Sequence, residues 1–228
     1  MLMIRSARLR TFLRWSIPLC LMPVMVLAGG MIFREKRYLL LACMAAGLAV
    51  LLFLSGVERR QTGARRMVLA AVMTALCIAG RFIPFFKPVT AITVLAAMYL
   101  GRESGFLIGA MAALLSNFYF GQGPWTAFQM LAWGMIGWLA GLLAEPLKRH
   151  RFWLLLYGTA AGVFYSLVMD IWTVLWYQDG FHPALYLTAI VTALPHTILY
   201  AASNLLFLWW MAKPFGEKLG RIQIRYGI

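Results

Sequence analysis

The residues in this chain best equipped for chemistry carry no charge. Asn117-Phe-Tyr-Phe-Gly-Gln-Gly-Pro-Trp-Thr126 interrupts a run from Ser104 to Ala144 that has no Lys, Arg, Asp or Glu. At 41 residues the run is too long for one membrane crossing and fits two. The chain therefore turns without the basic residues that mark a cytoplasmic loop. The turn offers amides, aromatic rings, two glycines and a proline, which suit the wall of a small-molecule pocket at an outer membrane face. Gly121 and Gly123 flank Gln122 and allow a tight, close-approaching loop, and Pro124 suits the first turn of a following helix. A helix N-terminus behind such a loop favours an anionic ligand group. Asn117, Tyr119, Gln122, Trp125 and Gln129 are the binding candidates here, against the plainer reading of a tight turn.

Two further loops belong to the same side, Arg81–Pro88 and Tyr177–Pro183, bringing Arg81, Lys87, Tyr177, Gln178, Asp179 and His182. Asp170 lies within an apolar run less than two turns from its outer end, a depth at which an ionised group needs a partner or water. Arg81 or a ligand would serve as that partner, so Asp170 and Arg81 are either a structural ion pair or ligand contacts. His196 and Asn204 fall nearer mid-membrane. Pro195 can kink the helix and aim the His196 imidazole inward, and Asn204 reads best as an interhelical hydrogen bond. Trp172, Trp176 and Tyr177 match an interfacial aromatic belt. No phosphate-binding loop, zinc-protease helix, serine-hydrolase elbow or pair of intramembrane carboxylates is present. The sequence points to no catalytic set, no metal site and no cofactor.

The elements that hold these residues are apolar runs. They cover roughly 15–33, 38–57, 67–83, 89–100, 104–118, 125–143, 152–176 and 184–211. The fourth and fifth are short for a full crossing, so other helices must shield them. Eight runs put both termini on one side. If that side is the cytoplasm, inner segments hold 16 Lys and Arg and outer segments five, which is the bias expected of a cytoplasmic N-terminus. Arg34, Lys36 and Arg37 violate it locally. The first run also resembles a signal peptide, but its length favours an uncleaved span.

Composition agrees. The 228 residues are 63% hydrophobic and 12% charged, with mean hydropathy +0.79, too apolar for a soluble domain of this size. The net charge of +14 comes from short basic clusters between apolar runs, which suits anionic lipid rather than nucleic acid. Cys20, Cys43 and Cys77 lie in apolar runs without paired spacing and read as small buried hydrophobes. The expected class is an all-α integral membrane protein of two parts: a helix pair over 1–60 and a six-helix core over 61–228, separated by a polar linker from Glu58 to Arg66. Ala71, Ala75 and Ala79 share one helix face, where another helix can approach closely. Gly105-x-x-x-Gly109 and Gly137-x-x-x-Gly141 repeat the pattern and read equally well as bundle packing.

From about residue 65 onward the chain resembles a substrate-binding S component of an energy-coupling factor (ECF) vitamin transporter. The resemblance rests on Arg65-Arg66 leading into Ala71/Ala75/Ala79, on the short fourth run ending Tyr99-Leu-Gly-Arg102, and on Phe118 to Met130 running into Leu131 to Gly141. The last segment is similar to the branch that includes cobalamin S components. The resemblance implies a six-helix binding protein with no ATPase of its own, which docks onto a membrane scaffold (T) component and two cytoplasmic ATPases in a bacterial cell membrane. It implies docking through Ala71, Ala75 and Ala79. Asn117, Tyr119, Gln122, Trp125, Gln129, Asp170 and His196 become ligand candidates, with Arg81 as loop support. The implied ligand is cobalamin or another corrinoid first, another water-soluble vitamin or a modified-base precursor next. The rival readings are a small membrane enzyme or assembly factor acting on lipid or isoprenoid groups, and a structural or sensory protein.

Overall fold

The computed structural model describes residues 4, 6–32, 37–57, 60–177 and 180–227, with the backbone alone at 60–62. Within them the chain is all-helical. The elements are α1 (Ala7–Ser16), a π-helical turn (Ile17–Leu21), α2 (Met22–Ile32), α3 (Tyr38–Ser55), α4 (Arg60–Gly80), α5 (Val89–Leu100), α6 (Arg102–Phe120), α7 (Trp125–Leu142), α8 (Ala144–Arg149), α9 (Arg151–Tyr177) and α10 (Pro183–Tyr226). Among the described residues, five stretches are long and apolar enough to cross a membrane: Ala7–Ile32, Tyr38–Ser55, Gly63–Gly80, Arg151–Tyr177 and Pro183–Tyr226. The protein is an all-α integral membrane protein.

The centre of the bundle is the least lipid-like part. α5 has only 12 residues, about 18 Å of helix, against a hydrocarbon thickness of about 30 Å. It survives because α4, α6, α7 and α10 surround it and bury every residue except Tyr99. α6 and α7 pack most extensively, and glycine is the reason. A Cβ on Gly105 would meet the Gly137 carbonyl oxygen at 2.6 Å, and one on Gly109 would meet the Trp133 carbonyl oxygen at 2.3 Å. Lipid offers no hydrophobic drive between helices, so backbone approach of this kind supplies the association through dispersion. The close packing also fixes the register between the C-terminal end of α6 and the start of α7. Gly121 ends α6 at φ +103, a conformation an L side chain rarely adopts, and the chain turns there into α7.

α1 and α2 form one rod through the π-turn, where Pro18 supplies no N–H to the helical ladder. This rod and α3 make a hairpin that packs chiefly on α6, α7 and α9. Its fastening lies at one end. Arg14 Nε donates to the Ser55 carbonyl at 3.2 Å and pairs with Glu103 at 3.3 Å. Trp15 meets Trp138 edge-on at 5.4 Å, and the Arg102 guanidinium lies 4.8 Å above the Trp15 ring.

Three expectations need correction. The segment read as a linker up to Arg66 is helical from Arg60, because Ala64, Arg65 and Arg66 are good helix formers that outweigh the single Gly63. The eighth apolar run stops at Met211, but α10 continues to Tyr226 through Pro214, with Glu217 and Arg221 paired one turn apart. Of the cysteines only Cys77 is buried, while Cys20 and Cys43 face outward. An apolar run identifies a span but not which side of it meets lipid. Arg34, Lys36, Glu58, Arg59, Gln178 and Asp179 lie outside the described residues.

Candidate functional site

The polar residues of the uncharged turn are drawn into one buried chain of hydrogen bonds. Arg81, just past α4, donates to the Ser116 hydroxyl and to Asn117 Oδ1 at 2.7 Å. Asn117 Nδ2 donates to Gln129 Oε1 at 2.8 Å and to Thr126 Oγ1 at 2.9 Å. Gln129 Nε2 donates to the Tyr165 hydroxyl of α9 at 3.1 Å. Asn117 is 1% exposed and Gln129 8%, so these bonds are made away from water. In such surroundings an unmet amide is costly, and each bond fixes the orientation of the next. The chain links α4, α6, α7 and α9 at one end of the bundle.

Aromatic rings stand beside it. Trp133 stacks on Tyr165 with centroids 4.8 Å apart and planes 21° from parallel. Tyr165 meets Tyr200 of α10 edge-on at 5.2 Å. Trp133 Nε1 donates to Thr90 at 3.2 Å, which ties the stack to α5. The Arg81 guanidinium lies 4.8 Å from the Phe120 ring centroid and 5.4 Å from that of Trp133. These groups enclose a cavity of about 50 Å³ lined by Arg81, Lys87, Val89, Thr90, Gln129, Trp133, Gly162, Tyr165 and Tyr200. No acidic residue is among its described lining residues. Burial, with the nearby Arg81 charge, holds Lys87 below its ordinary lysine value. The site therefore gathers two cationic groups, an amide, two phenols and an indole around one small space. That set suits a flat ligand bearing carbonyl or anionic oxygens.

The sequence candidates divide on this geometry. Asn117, Gln129 and Arg81 belong to the chain, and Gln129 and Arg81 also line the cavity. Gln122 is turned away from it. Its Nε2 donates to the Leu114 carbonyl at 2.9 Å and its Oε1 accepts from Thr126, so it staples the turn. Trp125 meets Trp172 edge-on at 5.6 Å, beside the site. Tyr119 is 73% exposed and packs on Phe82. Asp170 is buried, its Oδ2 has no hydrogen-bond partner, and Arg81 bonds to Ser116 and Asn117 instead. His196 is exposed on α10 and is not brought to the site, despite Pro195. Asn204 makes the interhelical bond expected of it, to the Gly158 carbonyl at 3.0 Å. Ala71, Ala75 and Ala79 are all exposed, on a face continued by Val68, Val72 and Leu76.

Sequence reasoning missed Ser116, Thr126, Trp133, Tyr165 and Tyr200. A signal existed for the two tyrosines. A phenol in the middle of an apolar run needs a polar partner, whereas a tyrosine at a span end does not.

The sequence profile of the family described as ECF-type riboflavin transporter, S component, matches residues 61–213. The chain belongs to this family. It is an S component of an ECF-type vitamin transporter. The match covers α4 to most of α10 and therefore the whole of the polar chain, and it leaves out the hairpin and the last turns of α10. Searches of curated proteins and of solved structures gave no significant match.

Proposed function

We propose that the protein binds a flavin-type vitamin between the Arg81–Asn117–Gln129–Tyr165 chain and the Trp133/Tyr165/Tyr200 rings, at the outer face of a bacterial cell membrane. The observation that carries this reading is that buried chain beside a cluster of aromatic rings. Arg81, Lys87 and Gln129 and the ring faces border one space, which complements a fused heterocycle with ring carbonyls. The family is named for riboflavin, which favours a flavin over the corrinoid that the turn sequence first brought forward.

The present cavity of about 50 Å³ is smaller than the several hundred Å³ usual for such ligands. Entry of a flavin therefore requires the loop from Arg81 to Pro88 to move. That loop carries Arg81 and Lys87, and Phe85 within it sits at φ 61 and is 75% exposed. Residues 82 to 86 are all exposed and can move at low cost while Arg81 stays held by Ser116 and Asn117.

The protein acts without chemistry of its own on this reading. Its partners are a scaffold component and two cytoplasmic ATPases. Docking uses the exposed Ala71/Ala75/Ala79 face, which the hairpin leaves open because it packs chiefly on α6, α7 and α9. Residues 1–60 are an added membrane hairpin and residues 61–228 the binding core, a division supported by a family match that begins at residue 61. Both termini face the cytoplasm.

Fluorescence titration of riboflavin with the purified protein tests this. Saturable one-site quenching with Kd of about 1 μM or tighter, near −8 kcal/mol, is the expected outcome. Folded protein that leaves riboflavin fluorescence unchanged would overturn the proposal.

A further inference from the structure

A second cavity lies at the opposite end of the helices, and it is formed jointly by the hairpin and the core. Its volume is about 630 Å³. Arg14, Gly56 and Val57 come from the hairpin, Gly63 and Arg66 from α4, Gly101, Arg102 and Glu103 from the α5–α6 junction, and Gly141 and Leu142 from the end of α7. The family match begins at residue 61, so the cavity's hairpin wall lies outside the matched region.

Its chemistry is cationic. Three guanidinium groups, those of Arg14, Arg66 and Arg102, face it, and Glu103 is the only acid among the described lining residues. That single carboxylate is shared, pairing with Arg14 at 3.3 Å and with Arg102 at 3.1 Å. Arg66 Nε is buried without a hydrogen-bond partner. The first turn of α6 also opens here. Gly101, its N-cap, has no side chain to cap the helix, and the positive end of this 19-residue helix adds to the field beside Glu103 of its first turn. Much of the remaining wall is glycine, which leaves room for an occupant to approach the backbone closely.

We propose that this cavity binds a phosphate-bearing anion, held by Arg66 and Arg102 beside the N-terminus of α6. Guanidinium forks match tetrahedral oxyanions, and several around one space favour phosphate over a lone carboxylate. The cavity sits at the basic end of the bundle, where anionic lipid headgroups gather and where soluble phosphate compounds have access. Both sources present the same group. The occupant bridges hairpin and core, so it holds the two parts together.

The test uses the full-length protein with two probes. One is inorganic pyrophosphate added to protein in neutral detergent. The other is phosphatidylglycerol in nanodiscs, compared with phosphatidylcholine nanodiscs. Thermal unfolding and native mass spectrometry read binding. A saturable rise in unfolding temperature, or a retained adduct, is expected with at least one probe. Response to phosphatidylglycerol alone identifies a lipid headgroup, and response to pyrophosphate identifies a soluble phosphate compound. Arg66→Gln is expected to weaken the response about tenfold, Arg66→Lys to preserve most of it, and Arg221→Gln, at an exposed pair with Glu217, to leave it unchanged. Arg66 is only partly buried, so the Gln variant keeps its fold. Absence of any response to both probes would overturn the proposal, as would an undiminished response in both Arg66→Gln and Arg102→Gln.

Discussion

Asn117 organises the aromatic site, because one side chain both receives from Arg81 and gives to Gln129 and Thr126. Removing it leaves a guanidinium arm and a buried amide oxygen without those partners. Asn117→Ala is therefore expected to lower stability by about 2 kcal/mol, more than an average membrane hydrogen bond is worth, and to weaken flavin binding at least tenfold. Unfolding midpoints and ligand titration check the two effects separately. Asp170 behaves in the opposite sense. Its Oδ2 has no partner, so Asp170→Asn is expected to leave stability unchanged or raise it, with flavin affinity preserved. A loss of binding in that variant would place the carboxylate on the ligand. Amides in an uncharged turn were legible in the sequence as a polar cluster. Whether each amide faced the cavity was not, because Gln122 and Gln129 differ only in where the helix begins. Gln122 precedes the helix and bonds to Leu114 and Thr126, while Gln129 is one turn inside and points at Tyr165.

Among the elements, α6 and α7 set the geometry of the site through glycine contacts remote from it. Gly137→Val would drive a side chain into the Gly105 carbonyl, 2.2 Å from the position of its Cβ. We expect destabilisation of about 3 kcal/mol, together with weaker ligand binding, since the register between Asn117 and Gln129 shifts. The four-residue glycine spacing announced close packing in the sequence but not its partner, and the structure supplies the pairing. α4 presents the converse. Its alanines at 71, 75 and 79 are exposed, so Ala75→Trp is expected to abolish uptake in cells while leaving flavin affinity of the purified protein within about twofold. Joint loss of uptake and affinity would show that the face packs inside the bundle. Helix ends were the least legible part of the elements. α10 continues beyond its apolar run because hydropathy marks where lipid stops, whereas a helix stops where its backbone hydrogen bonds do.

At the scale of the whole molecule, the sequence displayed the apolar runs, the basic bias and the short buried α5, because each follows from hydropathy and length alone. The buried polar chain was hidden, since it joins residues from helices distant in sequence, Arg81 with Asn117 and Gln129 with Tyr165. A cavity lies at each end of the bundle: an aromatic one within the family match, and a cationic one walled partly by the hairpin. Vitamin binding is proposed at the aromatic one. Its most direct measurement is a riboflavin titration of the purified protein, run in parallel on the wild type, Gln129→Ala and Tyr165→Phe. Submicromolar binding to the wild type, at least tenfold weaker in both variants while their unfolding midpoints stay in the folded range, is the result this account predicts. No binding by folded wild type, or equal affinity in all three, would contradict it.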